Sequence, residues 1–184
     1  MKKYTFNLIM LFCILIVSCP LSGYAAGPDG FINVPWGATQ QQIDNAMKEK
    51  GFYHHEFMPY YVGSFAGYPA PALSFQLKHN AFYEGQASIC HTPENSGHRE
   101  VQDCSQKIVS MISDKYGQPT RQKPEHSNSY SLYWEGLQNA ASSDNITIHV
   151  WTSLPDRLNG GMIQVTYTNN SLLERLKHKD KGDI

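Results

Sequence analysis

Ile146-Thr147-Ile148-His149-Val150-Trp151 alternates apolar and polar residues without a break, and Ile163-Gln164-Val165-Thr166-Tyr167 repeats the pattern. A period of two sends successive side chains to opposite faces of a strand, so each segment has one side for a core and one side away from it. Leu73, Phe75 and Leu77 alternate with Ser74, Gln76 and Lys78 in the same way. His79-Asn80 is then a turn candidate, and Phe82 to Cys90 returns as the second arm of a hairpin. Tyr130 to Trp134 supplies a further strand.

Helical spacing fills the gaps between these strands. Thr39 stands three residues before Gln42, a capping-box pair, and Ile43, Ala46, Met47 and Lys50 follow at helical intervals before Gly51 stops the turn. Val101, Cys104, Ile108, Met111 and Ile112 mark one face of a second helix, closed by Gly117 with Pro119 beyond it. Leu172, Leu173 and Leu176 indicate a short final helix. Phe31-Ile32-Asn33-Val34 reads as a short strand or an extended lead-in. The order is helix, two or three strands, helix, three strands. That order predicts an α+β fold, an antiparallel meandering sheet with helices packed on one face, divisible into two α-β-β-β repeats. The chain divides into a leader over residues 1–25 (1–18 if lipidated), a flexible lead-in over 26–30, one domain over 31–177 and a charged, frayed tail over 178–184.

Met1-Lys2-Lys3 followed by the apolar run from Phe6 to Val17 has the anatomy of a bacterial secretory signal peptide, too short for a comfortable membrane span. Gly23-Tyr24-Ala25 offers a cleavage site, with Ala26 as the first mature residue. Ile16-Val17-Ser18-Cys19 resembles the lipobox of bacterial lipoproteins, in which Cys19 is lipidated and becomes residue one. Both routes place the domain in the periplasm, either free or tethered to the outer membrane by lipid. The 184 residues suit one domain, and 15 basic against 16 acidic residues exclude a general binder of nucleic acid. Without Lys2 and Lys3 the 13 remaining basic residues leave a formal charge of −3, so attachment to a membrane would rest on the lipid at Cys19 alone.

Only Cys90 and Cys104 remain after the leader. In an oxidising compartment such a pair reads as a disulfide, and closing a loop of about fifteen residues contributes roughly 3 kcal/mol. Adding His91 and His98 gives a Cys-His-His-Cys set whose spacing matches no compact zinc pattern. His54-His55-Glu56 offers metal ligands that a strand would point to opposite faces. Gly63-Ser64-Phe65-Ala66-Gly67 has neither the spacing nor the context of a nucleophile elbow. No phosphate-binding glycine loop occurs, and Glu84, Glu94 and Glu100 read as solvated surface. The sequence therefore implies no catalytic residues, no metal and no cofactor.

What remains is an aromatic excess. Phe57 to Pro69 places five aromatics among Gly, Ser and Pro, a paratope-like composition; the alternative is that part of it is strand and core. His149 and Trp151 lie on the polar side of their strand. The binding candidates are Tyr60, Tyr61, Phe65, Tyr68, His149 and Trp151. In element order the chain resembles the repeated units of β-lactamase inhibitory protein and, in smaller form, the lipoprotein of the outer-membrane barrel assembly machinery. That resemblance implies binding of another exported or envelope protein through a sheet face or aromatic loops. The expectation is a non-catalytic binding module of inhibitor, immunity or envelope-accessory type. A small-ligand or glycan binder and an envelope hydrolase are the alternatives. Intact-mass measurement of protein from the envelope fraction is expected to find Cys19 with lipid, or Ala26 without it, as the first residue; a chain still beginning at Met1 would refute export.

Overall fold

The structure is a computed structural model that describes residues 26–126, 128–157 and 159–182. The leader, the cleavage site at Ala25 and the lipobox ending at Cys19 lie outside the described residues. Helix α1 (Gln40–Glu49) is followed by β4 (Tyr53–His54), β5 (Tyr61–Phe65), β6 (Tyr68–Lys78) and β7 (Ala81–Thr92). Helix α2 (His98–Tyr116) is followed by β8 (Arg121–His126), β9 (Ser129–Asn139), β10 (Asn145–Ser153) and β11 (Gly161–Asn169). Short strands β1 (Ala26–Gly27), β2 (Gly30–Phe31) and β3 (Val34–Pro35) precede both units, and α3 (Asn170–Gly182) follows them.

The α+β architecture is as the alternation predicts, and the repeat is larger by one strand in each half. The sheet runs β4-β5-β6-β7-β11-β10-β9, and β9 shares its outer edge between β8 and β1. Each helix thus leads a four-strand antiparallel meander, and the last strands of the two meanders pair with each other. Strand β8 escapes sequence detection because its residues, Arg-Gln-Lys-Pro-Glu-His, carry no apolar alternation. Pro124 is tolerated there because an edge strand need not donate on its outer side.

Pairing register assigns the faces. Ile148, Val150 and Thr152 of β10 oppose Trp134, Leu132 and Tyr130 of β9. Ile163 and Val165 of β11 oppose Ile89 and Ala87 of β7. These side chains form one core with Ile43 and Met47 of α1 and Val101, Cys104, Ile108 and Ile112 of α2. Helix α1 begins at the expected capping box, Thr39 with Gln42. Cys90 and Cys104 pair as a disulfide with Cα atoms 6.6 Å apart, tying the end of β7 to α2. A little further along α2, Ser105 hydrogen-bonds both Thr152 and Tyr130, at 2.9 and 2.8 Å. Met111 departs from the expected apolar stripe: it is half exposed.

Both chain ends are more ordered than the sequence suggests. The lead-in pairs in parallel with β9, and the Pro28 carbonyl accepts from Trp36 Nε1 at 2.8 Å and Asn139 Nδ2 at 3.3 Å. Phe31 to Val34 is a hairpin rather than one strand: Ile32 and Asn33 both take positive φ and form its two-residue turn. The charged tail continues α3 through Gly182, and Asp180 pairs with Lys78 and His79. Asn170 Nδ2 donates to Thr147, so α3 meets side chains of the sheet face opposite α1 and α2, at one end.

Asp144 holds α3 in place. Its carboxylate takes two hydrogen bonds from Arg175, at 2.7 and 3.0 Å, and one from Asn169 at 2.9 Å. Arg175 first, and Asn169 with it, hold the Asp144 pKa down to about 2 from the ordinary 3.8, against the opposing effect of burial. A depressed carboxyl stabilises the fold fully above its unfolded value, and the contribution is lost as pH falls through the folded one. Denaturation midpoints are therefore expected to fall between about pH 4 and pH 2. Asp144→Asn should be less stable at neutral pH and decline less over that window; an equal decline in both proteins would contradict this role.

Candidate functional site

The residues opposite the core on β8, β9 and β10 form a single constellation. Antiparallel register places Arg121, Tyr133 and His149 in one row across the three strands, because Tyr133 opposes both of the others. The rings of Tyr133 and His149 stack at 4.4 Å between centroids and 3° between planes. The Arg121 guanidinium lies 3.8 Å from the Tyr133 centroid on its way to Glu135, which it meets at 2.8 Å. Cation, phenol and imidazole thus lie along one cross-strand row. Arg121 and Glu135 are each nearly half exposed, so their ion pair adds little stability and mainly orients the guanidinium.

The neighbouring row holds Trp151, opposite Ser131 on β9 and Gln164 on β11. Trp151 is half-buried, on the side that its alternation predicts, while Ser131 beneath it is 1% exposed. Ser131 Oγ lies 3.0 Å from His149 Nε2, a distance at which a base can activate a nucleophile. Burial argues against that chemistry: the hydroxyl has no open approach. Strand β9 is paired on both edges at Ser131, with Lys123 and Trp151, so its backbone donors are committed to the ladder instead of an oxyanion hole. The pair fixes the imidazole orientation. Burial lowers the His149 pKa from 6.5, as does the Arg121 charge, while Glu125 opposes both.

The aromatic segment divides between core and surface. Tyr61 is 5% exposed, with its hydroxyl bonded to Asp44, and both burial and that carboxylate raise its pKa. It belongs to the packing and cannot present its ring to a partner. Phe65 stacks on Phe31 at 5.7 Å, and Tyr68, opposite Phe65, packs against the same core. Tyr60 is half-buried and lies against His55 at 4.7 Å. A Cβ at Gly63 would lie 2.5 Å from the Phe52 ring, which explains one glycine of the segment by close approach. The exposed large apolar side chains in and before this segment are Tyr53, Phe57 and Met58, at 63, 81 and 53%. These occupy β4 and the loop after it, five strand steps from β10, or about 24 Å at the usual spacing. Tyr61, Phe65 and Tyr68 pack on the core side, three or four strands from β10, so Trp151 and the segment 60–68 do not form one patch. Sequence reading missed Arg121 and Tyr133; Tyr133 falls between Leu132 and Trp134, and that alternation alone would have set it on the His149 side.

The remaining candidates stay apart. His98 Nε2 meets the Pro155 carbonyl at 3.0 Å, and His55 Nδ1 accepts the Phe57 amide at 3.2 Å. Among the described residues no three His, Cys, Asp or Glu side chains gather as a metal site, and no helix is long and apolar enough to cross a membrane. No family model, curated protein or solved structure matches the chain.

A His whose pKa is lowered in the fold binds fewer protons there than in the unfolded chain. Stability then falls as pH drops below 6.5 and levels off below the folded value. NMR titration of the His149 ring is expected to give a midpoint below 6.5. His149→Gln should flatten the stability profile through that window; a midpoint at or above 6.5 would contradict the burial argument.

Proposed function

We propose that the protein is a small exported, non-catalytic module that binds another envelope or exported protein through the Arg121–Tyr133–His149–Trp151 face of its sheet. The observation that carries this reading is the ordered stack of Arg121, Tyr133 and His149 with Trp151 beside it, on the side of the sheet that α1 and α2 leave alone. Trp, Tyr and Arg dominate the energetics of protein interfaces, and a rigid, pre-stacked set loses little conformational entropy when a partner covers it. Neighbouring Gln164, Thr166 and Gln86 extend the face with neutral hydrogen-bonding groups, which suits a rim. Two features support a non-catalytic role: Ser131, the hydroxyl beside His149, is buried, and its backbone is paired on both edges, so no amide there is open to stabilise developing charge. The leader supports export, and lipid at Cys19 would tether the module to the outer membrane.

A tagged protein captured from envelope fractions supplies the partner. Trp151→Ala and Tyr133→Ala are each expected to weaken the complex by ~2 kcal/mol or more. Both should lower stability far less than Trp134→Ala, whose buried indole donates to the Gly117 carbonyl at 2.7 Å and whose loss should cost ~3–5 kcal/mol. Unchanged affinity in both surface variants would overturn the assignment of this face.

A further inference from the structure

On the core side of the sheet, away from Trp151, the β2–β3 hairpin, the β5–β6 turn and the end of α2 enclose two joined chambers. The larger, about 450 Å³, runs along residues 28–35 and past Ser64 to Lys115 and Tyr116. The smaller, about 140 Å³, is walled by Phe65, Ile108, Met111, Ile112, Tyr116 and Tyr167. Phe65, Ala66, Lys115, Tyr116 and Tyr167 line both, so the two are one site with a polar half and an apolar half. An apolar cavity of about 150 Å³ is large enough to hold one benzene ring. The half-exposed Met111, which breaks the buried stripe of α2, is part of this wall.

Two polar groups are left over where the chambers meet. Tyr167 is wedged between Phe31 at 5.5 Å and Phe65 at 6.4 Å, and its hydroxyl has no hydrogen-bond partner among the described residues. Burial raises its pKa, so the phenol remains a donor at neutral pH. Lys115 lies 5.0 Å from the Tyr116 ring and has no carboxylate partner among the described residues. The acidic residue of the lining, Asp29, already accepts from Asn139 Nδ2 at 2.9 Å. Asp29 lines the larger chamber alone, whereas Lys115 lines both, so the charge where the two chambers meet is that of Lys115. The wall is also held in shape: Ile32 takes φ 51°, where a branched side chain is strained, and contact with the core keeps it there. The hairpin turn that lines the pocket is thus fixed by packing, and ligand pockets are usually largely preformed.

We propose that this pocket binds a small aromatic carboxylate, with its ring in the apolar chamber and its carboxylate at Lys115 and the Tyr167 hydroxyl. The site is independent of the protein-binding face, from which the sheet itself separates it. Titration calorimetry of the mature protein with 4-hydroxyphenylacetate is expected to show saturable one-to-one binding below about 1 mM. Lys115→Met, at an exposed position, should weaken binding about tenfold or more, since it removes a charge-assisted contact. p-Cresol, which lacks the carboxylate, should bind both proteins alike. Methyl resonances of Ile108, Met111 and Ile112 should shift with the ligand, and Trp151→Ala should leave the affinity unchanged. No saturable binding, undiminished binding in Lys115→Met, or shifts confined to other residues would each overturn the proposal.

Discussion

The pairing of β7 with β11 is the constraint from which the rest of the molecule follows. Each half of the chain builds a helix and a four-strand meander, and neither meander has a second layer of its own beyond that one helix. Joining their last strands, with Ile89 opposite Ile163 and Ala87 opposite Val165, merges two half-cores into one. The seam is also a place of close approach. A Cβ at Gly85, opposite Tyr167, would lie 2.2 Å from the Phe31 ring, so only glycine lets the hairpin before α1 close over the centre of the sheet. The Cys90–Cys104 disulfide starts from the irregularity in this pairing between Ile89 and Thr92, and links the first half to the helix that opens the second.

Because the sheet is continuous across the seam, its two faces have separate fates. One face is consumed by α1, α2 and the aromatic cluster around Phe31, Phe75 and Phe82. On the other, side chains of successive strands line up in rows: Arg121, Tyr133, His149, Thr166, Gln86 and Ser74 occupy one of them. Strand pairing brings the first three together, and Ser131 and Glu135 orient the imidazole and the guanidinium at either end. Helix α3, clamped by Asp144 and Asp180, closes one end of this face and leaves the Trp151 end to a partner.

Much of this was legible in the residues, and the failures have physical causes. Period-two alternation located β6, β7, β10 and β11 and put Trp151 on the correct side, because both facts depend only on local geometry. The capping box at Thr39 marked α1 for the same reason. Strand β8 was invisible since an edge strand bearing Arg121 and Lys123 on one side needs no apolar alternation. The Ile32-Asn33 turn lacks the glycine that usually announces a two-residue hairpin, and tertiary contacts impose it instead. The tail read as frayed because its order comes from pairs with Lys78, His79 and Asp144, distant in sequence. Aromatic density in residues 57–69 could not separate core from surface, since the burial of Tyr61 beside Asp44 is decided by where α1 lands. The Arg121–Tyr133–His149 stack was hidden for a related reason: three strands must be in register before it exists.

The proposed recognition surface is this side of the sheet and not the loop bearing the most exposed aromatics. Hydroxyl-radical footprinting of the free protein and of its complex with the captured partner compares the two surfaces in one experiment. Tyr133, His149 and Trp151 are expected to lose reactivity in the complex while Phe57 and Met58 keep theirs. Protection confined to Phe57 and Met58, with the sheet face unchanged, would contradict it.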